Sequence, residues 1–231
     1  MIDQKQAYFE DAYKTGKDRI WGYLPEKEKQ FRIFLNMREK KLLDIGCGKG
    51  VYSFIAAEEG FNTVGIDFSK TAIAAAAYTK KVSCPVSAVR FKQADALDLP
   101  FKDNSFDIAL DFSCFTHIPK KNWGRYFSQL RKVLKPEGDY ILSVWSKNSS
   151  NLSEVNGFNP NASRRNWNLS TMDGLNGHLY NHYFTKPELE STIKKYGFDP
   201  ICITEKQLNS YNSVMPGSDL RLLFAMARKN F

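Results

Sequence analysis

The sequence predicts an α/β domain with a doubly wound, mostly parallel seven-stranded sheet and helices on both of its faces. From residue 41 onward, short apolar runs alternate with helix-like stretches. The first four of these runs end at or beside an aspartate, and the first leads directly into a glycine-rich loop. Strands that alternate with helices form parallel sheets with right-handed crossovers. Such sheets bind their ligands at the carboxyl ends of the strands.

Residues 1–37 are predicted to form a helical cover. Two helix-like stretches within them are broken at Gly22-Tyr23-Leu24-Pro25, because Gly and Pro interrupt helices. The whole chain, residues 1–231, is predicted to be a single domain, since its length suits one hydrophobic core and it contains no internal repeat.

The first apolar run begins at Lys41 and ends in the acidic residue Asp44. It leads into the loop Gly46-Cys47-Gly48-Lys49-Gly50 and then the helix Val51–Glu59. Glycines at alternate positions let a ligand approach the backbone and tolerate positive φ. The spacing differs from the Gly-x-Gly-x-x-Gly of dinucleotide-binding enzymes, and Gly50 replaces the Ser or Thr of a Walker loop. Backbone N–H groups beside Asp44 instead fit a ligand that carries an amine and a carboxylate.

The later elements continue this alternation. Asp67 follows the second strand, where an acid can accept both hydroxyls of a ribose. A dehydrogenase would offer the same acid, so Asp67 alone does not identify the ligand. Ser69 is predicted to cap the next helix by accepting a hydrogen bond from a free backbone N–H. The further predicted strands are 61–66, 89–93, 106–110, 140–145, 198–205 and 220–227, and the further helices are 70–80, 121–134 and 186–196.

Residues 147–183 are predicted to be an irregular insertion or lid. Asn, Ser and Gly dominate this stretch, and no helical or strand period persists in it. Long loops in compact domains are often functional.

The composition excludes several classes of protein. Hydrophobic residues make up 42% of the chain and charged residues 25%, as in folded globular domains. No apolar run approaches the roughly 18 residues that span a bilayer, and the first residues lack the apolar stretch of a signal peptide. We therefore expect a cytoplasmic protein that does not contact membranes. The 4 cysteines form no Cys-x-x-Cys pair, so neither a disulfide scaffold nor a metal site is predicted.

The net charge of +8 has two interpretations. It is compatible with a nucleic-acid partner. However, the basic residues form scattered doublets such as Lys80-Lys81 and Lys120-Lys121, and none of these grows into a longer run. Scattered doublets are typical of solvated element ends, which makes a nucleic-acid partner the less favoured interpretation.

Four segments resemble the successive motifs of class I S-adenosylmethionine-dependent methyltransferases, in the order and spacing of that family. They are Leu42–Gly50, Val64–Ser69, Asp95–Phe101 and Leu134–Gly138, and with the chain between them they cover about residues 40 to 146. The resemblance implies a Rossmann-like methyltransferase fold with an antiparallel last strand, and S-adenosylmethionine as the cofactor. One departure is Glu137, where the family usually has the second glycine of a Pro-Gly-Gly turn.

The resemblance also implies a set of cofactor-binding residues. They are Asp44, Gly46, Cys47, Gly48, Gly50, Asp67, Phe68, Ser69, Asp95, Ala96, Asp111 and Phe112. The glycine loop would receive the methionine part, with Asp44 beside its ammonium. Asp67 would hold the ribose hydroxyls, and Phe68 would pack on the adenine.

The remaining implied contacts come from the third and fourth strands. Asp95 would accept from the adenine amino group, and Ala96 would offer a backbone N–H. Asp111 and Phe112 would border the methyl group that is transferred. The alternative for the four strand-end aspartates is that they cap helices or stabilise turns.

The catalytic and substrate-binding predictions rest on the loops around this edge. A general base is needed only when the acceptor carries a proton, and His117 is the candidate because histidine titrates near neutral pH. The alternative is a loop histidine that hydrogen-bonds to the backbone. Tyr13 and Trp21 are predicted to bind the substrate, since aromatic residues before the first motif resemble the cover found in small-molecule members of the family. The alternative is that these aromatic residues pack the N-terminal helices onto the sheet. His182 and Tyr183, at the end of the predicted insertion, are predicted to bind the substrate as part of the same lid.

The predicted function is methyl transfer from S-adenosylmethionine to a small-molecule acceptor by in-line displacement. The segment from Asp111 to Pro119 is similar to family members that act on thiols and chalcogen oxyanions. Three alternatives stay open: a tRNA wobble-uridine methyltransferase, a catalytically silent cofactor-binding partner, and a dehydrogenase. The sequence leaves the acceptor and the oligomeric state open.

Overall fold

Strands and helices alternate along most of the chain. A computed structural model describes residues 4–16, 24–34, 40–82, 88–149, 165–168, 178–208 and 219–230. The strands are β1 (Lys41–Ile45), β2 (Asn62–Asp67), β3 (Val89–Gln93), β4 (Phe106–Phe112), β5 (Leu134–Trp145), β6 (Arg165–Asn168), β7 (His178–Asn181), β8 (Phe198–Gln207) and β9 (Arg221–Lys229). The helices are α1 (Gln4–Thr15), α2 (Pro25–Phe34), α3 (Val51–Glu58), α4 (Lys70–Val82), α5 (Trp123–Val133) and α6 (Lys186–Lys195).

Seven strands form one sheet in the order β3-β2-β1-β4-β5-β9-β8. The pairs among β1 to β5 are parallel, whereas β9 is antiparallel to both β5 and β8. This confirms the predicted fold class and the antiparallel last strand. The strand order reverses between β1 and β4, and at such a point the connections diverge and open a crevice at the carboxyl ends.

Helix α5 places an aromatic face against the sheet. Its buried residues are Trp123, Tyr126, Phe127, Leu130 and Val133. They recur at intervals of three and four residues, the spacing of one helical face. The rings of Trp123, Tyr126 and Phe127 surround that of Phe115, which is fully buried just after β4. Since burying a large apolar side chain contributes about 1.5–3 kcal/mol, this cluster fixes the turn that follows β4.

The predicted cap at Ser69 is confirmed, and Thr185 caps a second helix. The Oγ of Ser69 accepts a hydrogen bond of 3.0 Å from the backbone N–H of Ala72, in the first turn of α4. The Oγ1 of Thr185 accepts one of 3.2 Å from the backbone N–H of Glu188 in α6. Each cap satisfies a donor that the helix itself leaves without a partner.

Some predicted element bounds were wrong. Strand β5 begins at Leu134 rather than at residue 140, because Leu134 pairs with Phe106 before the register resumes at Asp139. Helix α5 begins at Trp123, because Lys120–Asn122 forms a separate 3-10 turn. The insertion holds the antiparallel pair β6 and β7, which the sequence did not predict, since four-residue strands are too short to show a clear period.

Two further properties concern the described ranges as a whole. None of their helices is both long and apolar enough to cross a membrane. They also contain no group of three or more His, Cys, Asp or Glu side chains placed to hold a metal ion.

Candidate functional site at the carboxyl edge of the sheet

The glycine loop between β1 and α3 has no space for side chains at its three glycines. Gly46 and Gly48 have φ values of 69° and 55°, which only glycine adopts readily. A Cβ on Gly46 would lie 2.7 Å from the Cβ of Cys114, and a Cβ on Gly48 would lie 2.7 Å from the hydroxyl oxygen of Tyr13. A ligand at this loop therefore meets backbone atoms.

Cys47 and Gly50 hold the loop in place. The backbone N–H of Cys47 donates a hydrogen bond of 2.8 Å to the carbonyl of Ile66 in β2. Burial raises the pKa of the Cys47 thiol well above its usual value, so the side chain stays a neutral thiol. A Cβ on Gly50 would lie 2.6 Å from the ring of Phe91 in β3. Gly50, predicted to bind the cofactor, therefore packs against β3.

Asp67 joins the loop to the start of α4. Its Oδ2 accepts a hydrogen bond of 3.0 Å from the backbone N–H of Gly48, and its Oδ1 accepts one of 2.8 Å from that of Ser69. The residue is 5% exposed. A carboxylate offers about four lone-pair sites, so Asp67 can shape the loop and still accept from a ligand hydroxyl. The Oγ of Ser69 is used by the cap of α4.

Asp44 is a buried acid at the end of β1. It is 2% exposed, and its Oδ2 accepts a hydrogen bond of 2.6 Å from the Oγ of Ser53. Burial raises its pKa to about 7, and the nearby Asp111 and Asp67 add to the increase against the opposing effects of Ser53 and Lys27. Because burial penalises the charged form, a cationic group of a ligand would stabilise it.

Asp111 uses its carboxylate to cap the turn after β4. Its Oδ1 accepts a hydrogen bond of 2.7 Å from the backbone N–H of Cys114, and its Oδ2 accepts one of 3.0 Å from that of Phe115. The hydroxyl of Tyr126 in α5 also donates to it. Burial raises the pKa of Asp111 to about 6. Asp111 therefore fits the alternative in which a strand-end aspartate stabilises a turn. Its contact with the transferred methyl group stays a prediction.

Lys27 of α2 reaches the same edge, although its sequence context predicted no role for it. The residue is 4% exposed, and its Nζ donates a hydrogen bond of 3.0 Å to the Oγ of Ser113. The Nζ also lies 5.9 Å from the ring centre of Phe112. Burial lowers the pKa of Lys27 to about 8, against the opposing effects of Asp111 and Asp44.

Helix α1 supplies an aromatic wall. The ring of Phe9 meets Phe68 edge-on with the ring centres 5.5 Å apart, and it meets His117 in the same way at 5.3 Å. Glu10 fastens α1 to α4 by accepting a hydrogen bond of 2.6 Å from the backbone N–H of Lys70. Tyr13, predicted to bind the substrate, lies over the glycine loop. The other predicted N-terminal substrate residue, at position 21, falls outside the described residues.

The end of β3 forms a tight turn beside Phe68. Asp95 is exposed, and its Oδ1 accepts a hydrogen bond of 2.9 Å from the backbone N–H of Leu97. Ala96 is half-buried and packs against the main core. The side chain of Gln93 donates a hydrogen bond of 3.0 Å to the carbonyl of Phe68. The predicted adenine contacts therefore lie on neighbouring turns at the same edge of the sheet.

His182 and Tyr183, both predicted to bind the substrate, are buried where β7 returns to the domain. His182 is 0% exposed and Tyr183 is 2% exposed. The backbone N–H of His182 donates a hydrogen bond of 2.8 Å to the carbonyl of Thr116. Its Nε2 lies 2.9 Å from the Oε1 of Glu188. The structure therefore places the His182 ring inside the protein, next to the turn that contains His117.

A cavity of about 460 Å³ lies away from this edge. It is near the amino ends of β1 and β2, and its lining includes Lys41, Asn62, Arg90 and Phe101. None of the predicted site residues lines it, so it does not belong to the candidate site.

Residues 42–138 match a family model described as a methyltransferase domain. The chain is 28% identical over 188 residues to phosphoethanolamine N-methyltransferase 1 of Zea mays, an alignment that covers 80% of this chain and 36% of that protein. It is 32% identical over 107 residues to the chloroplastic tocopherol O-methyltransferase of Arabidopsis thaliana, covering 46% of this chain and 30% of that protein. This chain thus spans less than half the length of either relative.

A solved structure extends the similarity to nearly the whole chain. It is 1,6-didemethyltoxoflavin-N1-methyltransferase from Burkholderia thailandensis, with bound 1,6-didemethyltoxoflavin and S-adenosylhomocysteine. The TM-score is 0.73 at 20% identity, and the match covers 99% of this chain and 88% of that chain. At this identity the similarity shows the fold alone.

Proposed function

We propose that this chain is a member of the class I S-adenosylmethionine-dependent methyltransferases and that it moves a methyl group from S-adenosylmethionine to a small-molecule acceptor. Its membership rests on the match of residues 42–138 to the methyltransferase domain and on the strand order of its sheet. One observation carries the proposal. The crowded, positive-φ glycine loop lies beside the buried acids Asp44 and Asp67.

The chemistry of this edge fits the donor. The backbone of Gly46 and Gly48 can receive the methionine part, and Asp44 can pair with its ammonium. Asp67 can accept from the ribose hydroxyls, and the ring of Phe68 can pack on the adenine. When bound, S-adenosylmethionine supplies a methyl group on a positively charged sulfur.

The protein's own residues would act mainly by positioning and by excluding water. In-line displacement gains most from holding two reactants in the correct geometry inside a dry pocket. Phe9 and Tyr13 of α1 and Lys27 of α2 close the edge over β1 and β4. The half-buried His117 lies in the turn after β4 and is our proposed base for an acceptor that carries a proton.

A small acceptor is favoured because α1 and α2 cover the edge where the methyl would be transferred. The second candidate is a tRNA substrate, which the net charge of +8 favours. Lys41, Arg90 and Lys92 line the cavity that lies away from the carboxyl edge, so a nucleic acid would contact these basic residues in addition to the transfer site.

Two measurements test the proposal. Isothermal titration calorimetry should detect S-adenosylhomocysteine binding to the purified chain. Methyl label from S-adenosylmethionine should then enter the small-molecule fraction of a desalted cell extract. Nuclease-sensitive label in the RNA fraction would establish the tRNA alternative instead, and no binding of S-adenosylhomocysteine would refute both.

We also propose that the protein works in the cytoplasm. Cys47 and Cys202 are free thiols, and a reducing compartment preserves thiols. Cell fractionation followed by immunoblotting checks this, and recovery from a secreted or oxidising compartment would contradict it.

A further inference from the structure

Lys27 is a buried cation without an ion-pair partner among the residues that the structure describes. Only 4% of the residue is exposed, and it makes no ion pair within 4.0 Å to any residue that the structure describes. Within the described part of the chain, its hydrogen bond runs to the Oγ of Ser113 at 3.0 Å. An ammonium has three donors, so two of them have no described protein acceptor. A buried charge is costly unless it is paired and hydrogen-bonded.

The nearby acids do not supply the missing partner. Asp44 accepts from Ser53, and Asp111 accepts from the turn after β4 and from Tyr126. Both lie close enough to oppose the lowering of the pKa of Lys27. They are nevertheless beyond ion-pair distance and are themselves acids whose buried carboxyls resist ionisation. The position therefore has a positive charge and an incomplete set of acceptors.

Ser113 is held in a conformation that keeps its hydroxyl beside Lys27. Its φ is 77°, a value that costs a non-glycine residue about 1–2 kcal/mol. The backbone N–H of Ser113 donates a hydrogen bond of 3.0 Å to the carbonyl of Ser143, which helps to fix it. Strain of this kind is concentrated at functional sites. Two independent features, the unpaired cation and the strained serine, thus coincide at the carboxyl end of β4.

We propose that the Lys27 ammonium, oriented by Ser113, is an anion-recognition point that receives a carboxylate or oxyanion oxygen at the reaction site. The proposal rests on the methyltransferase function and deepens it. Such an oxygen has two possible sources: the carboxylate of the donor, or an oxyanion of the acceptor. Either would fill the free donor positions of Lys27 and offset the cost of its burial.

The test compares Lys27→Met with Lys29→Met. Methionine keeps most of the apolar volume of lysine and removes its charge. Lys29 is an exposed lysine on the same helix and provides the matched control. Calorimetry would measure three probes on each protein: S-adenosylhomocysteine, which has the carboxylate; 5′-methylthioadenosine, which lacks the amino-acid part; and sodium sulfate added to protein already loaded with S-adenosylhomocysteine.

If the anion is the carboxylate of the donor, Lys27→Met should lower the affinity for S-adenosylhomocysteine about 10- to 100-fold and leave the affinity for 5′-methylthioadenosine unchanged. If the anion is instead an oxyanion of the acceptor, Lys27→Met should bind both nucleosides as the wild type does. The wild type should then bind sulfate, and Lys27→Met should not. Equal binding of all three probes to wild type and Lys27→Met would overturn the proposal. Failure of the wild type to bind S-adenosylhomocysteine would instead refute the proposed function.

Thermal unfolding separates recognition from a structural role. If Lys27 binds an anion of the ligand, Lys27→Met should raise the melting temperature of the ligand-free protein, since replacing an unpaired buried charge with an apolar group is stabilising. A lower melting temperature together with unchanged probe binding would assign Lys27 to the fold alone. Lys27→Arg should retain part of the affinity that Lys27→Met loses, because it keeps the charge.

Discussion

Two clusters of buried or half-buried charge in this protein are built in opposite ways. In the cluster at the start of α6, Glu188 accepts from Lys147 at 2.7 Å, from Lys120 at 3.3 Å and pairs with His182 at 2.9 Å. Partial burial alone would raise the pKa of Glu188, but the hydrogen bonds from His182 and Lys147 more than offset this and hold it well below its usual value.

The cluster at the carboxyl edge of β1 and β4 is incomplete. Burial raises the pKa of Asp44 to about 7 and lowers that of Lys27 to about 8. Each group would gain from a partner of opposite charge. The comparison suggests that a cluster satisfied by the protein serves stability, whereas one left incomplete serves a ligand.

The largest expected effect is on the glycine loop. Gly46→Ala would force a Cβ to within 2.7 Å of Cys114 at a φ of 69°, so we expect S-adenosylhomocysteine affinity to fall about 100-fold or more. Gly16→Ala is the matched control. Gly16 has a φ of 75°, but a Cβ added there would meet nothing within 4 Å. Equal affinity losses from the two variants would show that backbone strain, not the loop itself, is responsible.

The satisfied cluster should respond in stability rather than in binding. We expect Glu188→Gln to lower the free energy of unfolding by about 1–3 kcal/mol at pH 7, with S-adenosylhomocysteine affinity changed less than about 2-fold. Chemical denaturation and calorimetry measure these quantities. Glu190→Gln, on an exposed residue of the same helix that pairs with Lys194, should have little effect on either.

The pH dependence of this variant has a defined direction. Because the pKa of Glu188 is depressed in the folded protein, its contribution is fully present above its unfolded pKa of about 4.3 and is lost as the pH falls below that value. The difference in stability between wild type and Glu188→Gln should therefore shrink below about pH 4. A difference that stays constant down to pH 3 would mean that Glu188 acts through packing.

The incomplete cluster should behave in the opposite way. The pKa of Asp44 is raised to about 7, so its charge opposes folding as the pH rises from about 4 to about 7. Asp44→Asn, which keeps an oxygen to accept from Ser53, should therefore raise the free energy of unfolding by up to about 4 kcal/mol at pH 8 and by almost nothing at pH 4. The same substitution should also lower the affinity for S-adenosylhomocysteine. Asp98→Asn, on an exposed turn, is the control.

The sheet and the glycine loop could be predicted because their signals are local. The strand Val89–Gln93 was predicted with the bounds that the structure shows. The cap at Ser69 depends on residues within three positions of it. Such contacts leave a pattern in a short window of sequence.

The incomplete cluster could not be predicted in the same way. Lys27 lies in Pro25-Glu26-Lys27-Glu28-Lys29, a charged run that is typical of a solvated helical face. Its burial depends on a contact with Ser113, 86 residues away. Asp111 was assigned to the correct edge, but a strand-end position does not tell whether the carboxylate points to the ligand or caps the next turn.

Glu137 provides the smallest effect, at a position outside both clusters. It replaces the second glycine of the family's turn, and its φ is 58°, a conformation that costs a non-glycine residue about 1–2 kcal/mol. Glutamate at this exposed position should therefore be the less stable choice. We expect Glu137→Gly to raise the free energy of unfolding by about 1 kcal/mol or less, because glycine also gains entropy in the unfolded chain.

Asn104→Gly, at a φ of 54°, should raise the free energy of unfolding by less, since asparagine tolerates this region better. Chemical denaturation would measure both changes, and S-adenosylhomocysteine affinity should be unaltered. A loss of affinity in Glu137→Gly would mean that the turn is coupled to the carboxyl edge, so that the two clusters do not account for all of the binding.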